Sequence, residues 1–413
     1  MSRMLVVVHE ESLINEKIKK NDENKILLVR EYDEEKDKEK VEEMEIQSEL
    51  GQQDGKSSTL VTHLLGDPLG RIRHFPSRIM MVAEYEGEMV GVIRCGIKTV
   101  TRGKKIDDPP IYVKLAYILG LRVSPMHRQK GVATKLVKRT EEWCKENGAQ
   151  YVYMMTDCSN EPSINLFTRK FDYTKVCTPT VLGQPVHAHR KPITSGTTII
   201  RVSPQLAESM YRHIFRNSEF FPKDIGMVLS SKLNLGTFIA VPRGYLPKWD
   251  PKKELPPCFA IMSVWNTKEV YQLELKGAAK LTKAFCLGSR VLDAHMPWLR
   301  VPSIPNVFSP FGFYFLYGLH MEGKGSLSLM KGLCNFAHNM ARKDVACGAV
   351  VAEVAPWDPV CEVIPHWKKF SWNEDLWCMK KLAKDGSDEE SEPLDWVSSR
   401  STLPTLFVDP RDF

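Results

Sequence analysis

The 413-residue sequence lacks a long apolar run, a paired cysteine motif and a block of basic residues interleaved with aromatic ones. The apolar run at residues 4–8 is too short for a signal-peptide core or a membrane span. Its ten cysteines are scattered, without a CxxC pair or a zinc-like Cys/His spacing. We therefore expect an intracellular protein, in the cytoplasm or the nucleus, without a membrane span, a metal or a direct nucleic-acid partner.

Length and charge distribution suggest two domains and an anionic ligand. The chain is 43% hydrophobic and longer than one hydrophobic core usually supports. Its net charge is +6, but acidic residues concentrate at residues 31–49 and 385–392. The remainder is therefore more basic than average, which suits an anionic cofactor or partner.

Hydrophobic periodicity predicts the same series of elements twice. In the first half it predicts strands at residues 26–30, 78–84, 89–100, 114–123 and 150–156, with helices at 34–50 and 132–147. About 190 residues later it predicts strands at 197–202, 237–241, 259–265, 311–319 and 348–354, with helices at 204–216 and 326–342. The predicted fold class is α+β (α/β), with tandem domains that each hold a mixed, mainly antiparallel, splayed sheet flanked by helices.

Composition places the domain boundaries. We predict a flexible tail at residues 1–24, a first domain at 25–178 and a second, degenerate domain of the same fold at 197–383. A stretch rich in Pro, Gly and Thr at 179–196 is the predicted linker. Residues 384–413 are predicted to form a mobile acidic tail, in which Trp396 and Phe407 are the candidate anchors.

The strongest motif is the Arg-Gln-Lys-Gly-Val-Ala sequence at residues 128–133, between a buried strand and an amphipathic helix. A pyrophosphate needs converging N–H groups and a positive field, and a glycine turn at a helix N-terminus supplies both. Gly131 allows close approach of the phosphate. An ordinary strand-to-helix turn is the alternative, but the flanking elements favour phosphate binding. The predicted phosphate-binding residues are Arg128, Gln129, Lys130, Gly131, Val132, Ala133 and Thr134.

This segment resembles motif A of the GNAT acetyltransferases, R/Q-x-x-G-x-G/A, with Ala133 in the last position. Residues 160–173 are similar to the family's N-x-x-A-x-x-L-Y-x-x-x-G-F segment. The resemblance implies an acetyl-CoA-dependent N-acetyltransferase, whose pantetheine arm inserts between the strands that carry Val123 and Met154. Further cofactor contacts are implied for Leu121, Val123, Asn160, Ser163 and Phe167.

Over nearly its whole length the chain resembles the plant HOOKLESS-type N-acetyltransferases. The likeness is carried by Leu-Gly-Asp-Pro at 65–68, Lys-Leu-Ala-Tyr at 114–117, Leu-Arg-Val-Ser-Pro at 121–125 and Ile-Pro-His-Trp-Lys at 364–368. It implies a role in hormone-controlled differential growth. It also implies an amine acceptor, first of all a protein lysine, for which a histone tail is the favoured version.

Two positions depart from the family pattern. Phe167 stands where many relatives have a tyrosine that protonates the departing thiolate, and Asp172 replaces a glycine. The missing proton donor is compatible with a slower enzyme, since a thiolate is a fair leaving group and transfer depends mainly on positioning. The competing interpretation is a non-catalytic interaction module that retains the fold and CoA binding.

The general base is not identified by the sequence. No carboxylate lies in the strand at residues 115–123, so Glu84 and Asp157 are the candidates, each acting directly or through water. Tyr117 is a candidate for hydrogen bonding to substrate. The plainer alternatives are solvated strand-end charges for the two acids and a sheet-surface residue for the tyrosine. His187 and His189 have no third ligand and do not define a metal site.

The second half contains a sequence close to a P-loop. It reads Gly-Leu-His-Met-Glu-Gly-Lys-Gly at residues 318–325, with Gly325 in place of the magnesium-binding Ser or Thr. We interpret residues 320–325 as a degenerate copy of the first loop, in which Glu322 repels pyrophosphate. A nucleotide-binding second domain is the third option. It requires magnesium-dependent ATP binding that is lost on Lys324→Ala.

Overall fold

The computed structural model describes residues 27–50, 58–102, 109–245, 249, 254–368, 370–371, 375–382, 396 and 406–413. The predicted flexible tail at residues 1–24 lies outside these ranges. The first half contains β1 (Leu27–Glu31), α1 (Glu34–Leu50), β2 (Thr59–His63), β3 (Ser77–Tyr85), β4 (Glu88–Arg102), β5 (Ile111–Val123), α2 (Val132–Glu146), β6 (Tyr151–Asp157), α3 (Glu161–Asn165) and β7 (Thr174–Cys177). The strands and helices predicted for this half are confirmed.

The second half follows the same pattern with additional elements. It contains β8 (Thr180–Pro185), β9 (Thr197–Val202), α4 (Pro204–Ile214), α5 (Ile225–Ser230), β10 (Asn234–Pro242), β11 (Phe259–Asn266), β12 (Gln272–Lys276), α6 (Lys280–His295), β13 (Gly312–Glu322), α7 (Ser326–Ala341), β14 (Cys347–Val354) and β15 (Asp375–Lys381). The predicted elements are again present. The sequence patterns had not identified α5, α6, β8, β12 or β15.

Each domain contains one mixed sheet. The first sheet has the strand order β1-β3-β4-β5-β6-β15-β7, and the second has the order β8-β14-β13-β11-β10-β9. In each sheet one pair is parallel, β5 with β6 and β13 with β14, and the other pairs are antiparallel. A two-stranded ribbon of β2 and β12 joins the halves. The prediction of tandem, mainly antiparallel domains is therefore confirmed.

Left-handed glycines recur at equivalent points of the two domains. Gly120 has φ 61° beside a bulge between β4 and β5, and Gly318 has φ 59° beside a bulge between β11 and β13. Gly131, with φ 81°, precedes α2 just as Gly325, with φ 95°, precedes α7. Glycine adopts such positive φ values without the steric cost of a Cβ. The repeat is thus visible in backbone geometry as well as in the order of elements.

Two strands lie outside the units predicted for them, which corrects the predicted boundaries. Strand β15 comes from the predicted second domain but lies between β6 and β7 of the first sheet. Strand β8 lies in the predicted linker at residues 179–196 but pairs with β14 of the second sheet. Gly183 was counted among the residues that indicate a linker, but it lies in β8. Only glycine fits at this position of the strand, because a Cβ would collide with the Phe370 carbonyl oxygen.

The last described residues, 406–413, are buried between the two sheets. Leu406 packs against the apolar clusters of both domains, and the ring of Phe407 lies 5.1 Å from those of Phe215 and Phe221. Trp396 is also buried, with its ring 5.3 Å from that of Tyr151. These residues belong to the core, which confirms Trp396 and Phe407 as anchors and corrects the prediction of a mobile tail for the described part of residues 384–413.

A buried ion cluster holds this C-terminal segment in place. Lys98 on β4 places its Nζ 2.5 Å from Asp412 and 3.2 Å from Asp409. Arg411 donates to both Asp224 oxygens, at 2.7 and 2.9 Å, and to Asp409. Charges this far from water are tolerated only when paired and hydrogen-bonded. The cluster therefore ties β4 of the first sheet to residues next to α5 in the second domain.

Glu353 on β14 gives the contact between the sheets a pH dependence. It is buried and accepts a hydrogen bond of 3.2 Å from Trp377 Nε1 on β15. Burial, together with the charge of Asp375, raises the pKa of Glu353 to about 8. The folded state thus keeps a proton that the unfolded chain releases near its ordinary pKa, so stability falls as pH rises towards 8.

Replacement of Glu353 by glutamine is expected to reduce this loss of stability. Glutamine accepts the Trp377 hydrogen bond but does not ionise. Urea unfolding at pH 5.5 and 8.5 measures how far the free energy of unfolding decreases between the two pH values. The decrease should be at least about 2 kcal/mol larger in the unsubstituted protein than in Glu353→Gln. Equal decreases in the two proteins would contradict the raised pKa of Glu353.

Candidate functional site

The loop between β5 and α2 exposes a helix N-terminus. A 3₁₀ turn, Pro125–His127, leads into Gln129 and Gly131, which both have left-handed backbone conformations with φ of 63° and 81°. Gly131 is the N-cap of α2, and no side chain in the described part of the protein caps this end. The first N–H groups of α2 and the positive end of its dipole are therefore available to an anion.

Open space and basic side chains surround this loop. A Cβ built on Gly131 meets no atom of the described residues within 4 Å, and residues 128–131 are exposed. Val132 instead points into the core against Gly91, while Ala133 and Thr134 are partly exposed. The loop thus combines an exposed, basic glycine turn with a buried anchor.

Tyr85 on β3 positions two basic side chains at the loop. The Nζ atom of Lys130 lies 5.4 Å from the centre of the Tyr85 ring, and the His127 ring lies 5.4 Å from it. A cation over an aromatic face is held electrostatically. Tyr85 was not predicted as a site residue, because its contacts depend on the pairing of β3 with the rest of the sheet.

Strands β5 and β6 part on the same side as the loop. Their pairing runs from Leu115 opposite Tyr151 to Ile118 opposite Met154. Strand β5 then continues along β4 as far as Val123, which pairs with Gly91. Leu121 and Val123 are partly exposed beyond the last β5–β6 pair. The diverging strands leave a cleft edge next to the exposed start of α2.

The predicted cofactor residues after β6 have structural partners. Asn160 caps α3, and its Oδ1 accepts a 3.2 Å hydrogen bond from the Ser163 N–H. Phe167 lies in a π-helical turn and is buried, with its ring 5.0 Å from that of Tyr173. Asp172 has φ 58°, which explains the family's preference for glycine there. Aspartate is one of the residues that tolerate this conformation best.

The two candidate bases differ in their distance from the cleft. Glu84 accepts hydrogen bonds of 3.0 and 2.6 Å from Arg30, and its strand β3 is separated from β5 by β4. Because successive side chains of a strand point to opposite faces, Glu84 points away from the face on which Tyr85 meets the loop, and towards Arg30, which also pairs with Asp37 of α1. Asp157 ends β6 at the edge of the cleft, where it faces Asp375 on β15 and accepts from the Ser159 N–H at 2.7 Å. Burial and the charge of Asp157 raise the pKa of Asp375.

Tyr117 lies on β5 just before the strands part. Its ring is buried and stacks on Tyr153 at 4.8 Å. Burial raises the pKa of Tyr117, so the hydroxyl stays protonated near neutral pH. Tyr117 is therefore suited to donating a hydrogen bond rather than to acting as a base.

Equivalent points of the second domain have different side chains as neighbours. A Cβ on Gly318 would lie 2.5 Å from the Tyr211 hydroxyl, which itself bonds Ser263 Oγ at 2.8 Å. Glu322 lies 3.7 Å from His320 at the end of β13. The loop geometry is retained here, but a tyrosine and a carboxylate stand beside it.

The His187 and His189 pair has structural roles. His187 Nδ1 lies 2.8 Å from the Ser303 carbonyl oxygen, and His189 Nδ1 lies 2.8 Å from Asp293. Within the described ranges no group of three or more metal-ligating side chains occurs. No helix in those ranges is long and apolar enough to cross a membrane.

Comparison with known proteins agrees with this architecture. Residues 45–173 match the model of the acetyltransferase (GNAT) family. The chain is 47% identical over 407 residues to "Probable N-acetyltransferase HLS1" of Arabidopsis thaliana, covering 94% of this chain and 100% of that protein. It is 42% identical over 365 residues to "Acetyl transferase GW6a" of Oryza sativa subsp. japonica, covering 86% and 83% of the two chains.

A solved structure shares the fold over both domains. Saccharomyces cerevisiae N-myristoyltransferase with bound myristoyl-CoA superposes with a TM-score of 0.54 at 10% identity, covering 92% of this chain and 89% of that one. The similarity to the plant proteins is far above what a shared fold alone requires. The chain therefore belongs to the GNAT acetyltransferase family and is an acyltransferase.

Proposed function

We propose that this protein transfers the acetyl group of acetyl-CoA to an amine, with a protein lysine as the first acceptor and a histone tail as the version to test first. The observation that supports this most strongly is the left-handed Gly131 at the uncapped start of α2, beside the parting ends of β5 and β6. We extend the proposal to hormone-linked growth regulation, which the resemblance to the plant HOOKLESS-type proteins implies, and to a location in the nucleus or the cytoplasm.

The chain's own residues suit this reaction. The N–H groups of the first turn of α2, with Arg128 and Lys130, offer the positive field that a pyrophosphate requires. Asp157 at the cleft edge is the proposed base, acting through water on the incoming ammonium. Tyr117 donates a hydrogen bond to the reacting groups. Because Phe167 has no proton to give, the thiolate leaves without a proton from this position.

The test is acetylation of amine acceptors by the purified protein. A histone tail peptide and other lysine peptides are incubated with acetyl-CoA and analysed by mass spectrometry. The native protein should add one acetyl group to a lysine, and Gly131→Glu should yield no product above the uncatalysed background. A protein that binds acetyl-CoA but acetylates none of these amines would contradict transfer to lysine.

A second candidate function is a regulatory interaction module that binds CoA without turnover. It is favoured by Phe167, whose buried ring occupies the position of the usual proton donor. The two functions differ in one result: the module binds acetyl-CoA through the Gly131 loop but releases no free CoA with any acceptor. Acceptor-dependent release of CoA would exclude it.

A further inference from the structure

Helix α6 and the turn that follows it expose an unusually apolar surface. Eight of the sixteen exposed large apolar side chains among the described residues lie here. We call these eight the outer face of α6: Leu281, Phe285, Leu287, Val291, Leu292, Met296, Trp298 and Leu299. Leu281 is 84% exposed, and Phe285 and Trp298 are each 71% exposed. Contiguous apolar surface of this kind marks an interaction site on soluble proteins.

Buried contacts on the opposite side fix the rotation of α6. Asp293 is buried and accepts hydrogen bonds from the N–H groups of Ala188 and His189, at 2.8 and 3.1 Å, and from Ser303 Oγ at 2.5 Å. Its other oxygen lies 2.8 Å from His189 Nδ1. Turning the helix to bury its apolar side would break these bonds and leave polar groups unpaired. The outward direction of the apolar face is therefore set by the fold.

The outer face has a shallow centre that suits another helix. Ala284 and Gly288 are one turn apart on the same side as Leu281, Phe285 and Leu292. A Cβ on Gly288 would meet no atom of the described residues within 4 Å. Small residues flanked by large ones form the kind of hollow into which side chains of a packed helix insert.

The charges around this face all have one sign. The exposed charged or titratable side chains at residues 280–300 are Lys280, Lys283, His295 and Arg300, and the one acid, Asp293, is buried. A second copy docked through the same face would bring lysines towards lysines. Like charges facing each other disfavour such a pair, whereas an acidic partner is complementary.

From the exposure, the fixed rotation and the basic rim we infer that the outer face of α6 docks an acidic amphipathic helix of another protein. The sixteen residues of α6 span about 24 Å, enough to pack against four helical turns. Leucine or similar side chains of the partner fill the hollow at Ala284 and Gly288. Its acidic residues lie beside Lys280 and Lys283. This docking is independent of acetyl transfer.

The test uses two designed helical peptides labelled with fluorescein. Both have leucine along one face, and the other face carries glutamate in one peptide and lysine in the second. By fluorescence anisotropy the glutamate peptide should bind the native protein at least about tenfold more tightly than the lysine peptide. The double variant Phe285→Glu/Leu292→Glu should bind the glutamate peptide at least about tenfold more weakly.

A matched control separates this face from apolar exposure in general. Met227→Glu/Leu327→Glu introduces the same charges at exposed apolar positions on α5 and α7 and should leave peptide binding unchanged. All substituted side chains are exposed, and circular dichroism verifies that both variants fold. Equal affinity for the two peptides, or full binding by Phe285→Glu/Leu292→Glu, would overturn the inference.

Two other results would also overturn it, each in favour of a different occupant. A native dimer that becomes monomeric in Phe285→Glu/Leu292→Glu, seen by sedimentation velocity, would identify a second copy of this chain. Binding to phosphatidylserine vesicles that this variant loses, without a preference for the glutamate peptide, would identify a membrane surface. The inference requires that the protein prefers the glutamate peptide, that it forms no dimer through this face and that it binds no vesicles through this face.

Discussion

Replacement of Gly131 by glutamate is expected to abolish acetyl-CoA binding while the protein stays folded. At φ 81° a residue with a side chain is strained by roughly 1–2 kcal/mol, which a folded domain tolerates. The added Cβ meets no described atom within 4 Å, so the damage falls on the ligand and not on the core. A carboxylate at the start of α2 opposes the pyrophosphate, and we expect affinity to fall by at least about 100-fold.

The repeated fold supplies the matched control for this variant. Gly325 precedes α7 with φ 95° in equally open space, so Gly325→Glu brings the same strain and charge to the second domain. Acetyl-CoA should raise the thermal midpoint of the native protein and of Gly325→Glu alike, since a ligand that binds the native state stabilises it. It should not raise that of Gly131→Glu. The reverse pattern would place the cofactor in the second domain.

Replacement of Lys98 by methionine is expected to be among the most destabilising single changes. Its ammonium is fully buried and pairs with Asp409 and Asp412. Methionine fills similar volume but leaves two carboxylates buried without this cation. Breaking a buried pair from one side costs about 3–5 kcal/mol of unfolding free energy. Because residues 406–413 lie between the sheets, the loss weakens the contact of the two domains.

An exposed lysine shows how much of this effect depends on burial. Lys36 lies 3.4 Å from Asp33, and both side chains are exposed, so Lys36→Met should cost less than about 1 kcal/mol. Urea unfolding at neutral pH measures both variants. The deficit of Lys98→Met should shrink at lower pH, because protonation removes the unpaired charge; burial already raises the pKa of Asp412 to about 6. Similar costs for the two variants would contradict the buried cluster.

Local patterns in the sequence predicted the parts of the fold that depend on local contacts. The buried strand β5, the glycine turn and the amphipathic helix α2 all lie within residues 111–146, and each depends only on neighbouring side chains and, for the turn, on the positive φ of Gly131. The second copy of this unit was found for the same reason. The residues around the glycine turn before α2 are therefore sufficient to predict it.

Long-range contacts account for what the sequence did not reveal. Strand β15 pairs with β6 across more than 200 residues, and no nearby residue specifies that partner. Residues 409–412, Asp-Pro-Arg-Asp, have the composition of a solvated turn. They are buried because Lys98 and Asp224, which are distant in sequence, pair with them. Glu84 was a plausible base because Arg30, its ion-pair partner, lies on a different strand. Charges and strands of this kind are defined by their distant partners.

The most direct test of the account is isothermal titration of the purified chain with acetyl-CoA, with CoA as the control ligand. We predict one site per chain, located in the first domain, because Arg128 and Lys130 flank the loop before α2, whereas the exposed carboxylate of Glu322 in the loop before α7 repels pyrophosphate. Two sites per chain would contradict the degenerate second domain. No binding by a demonstrably folded chain would contradict the cofactor site itself.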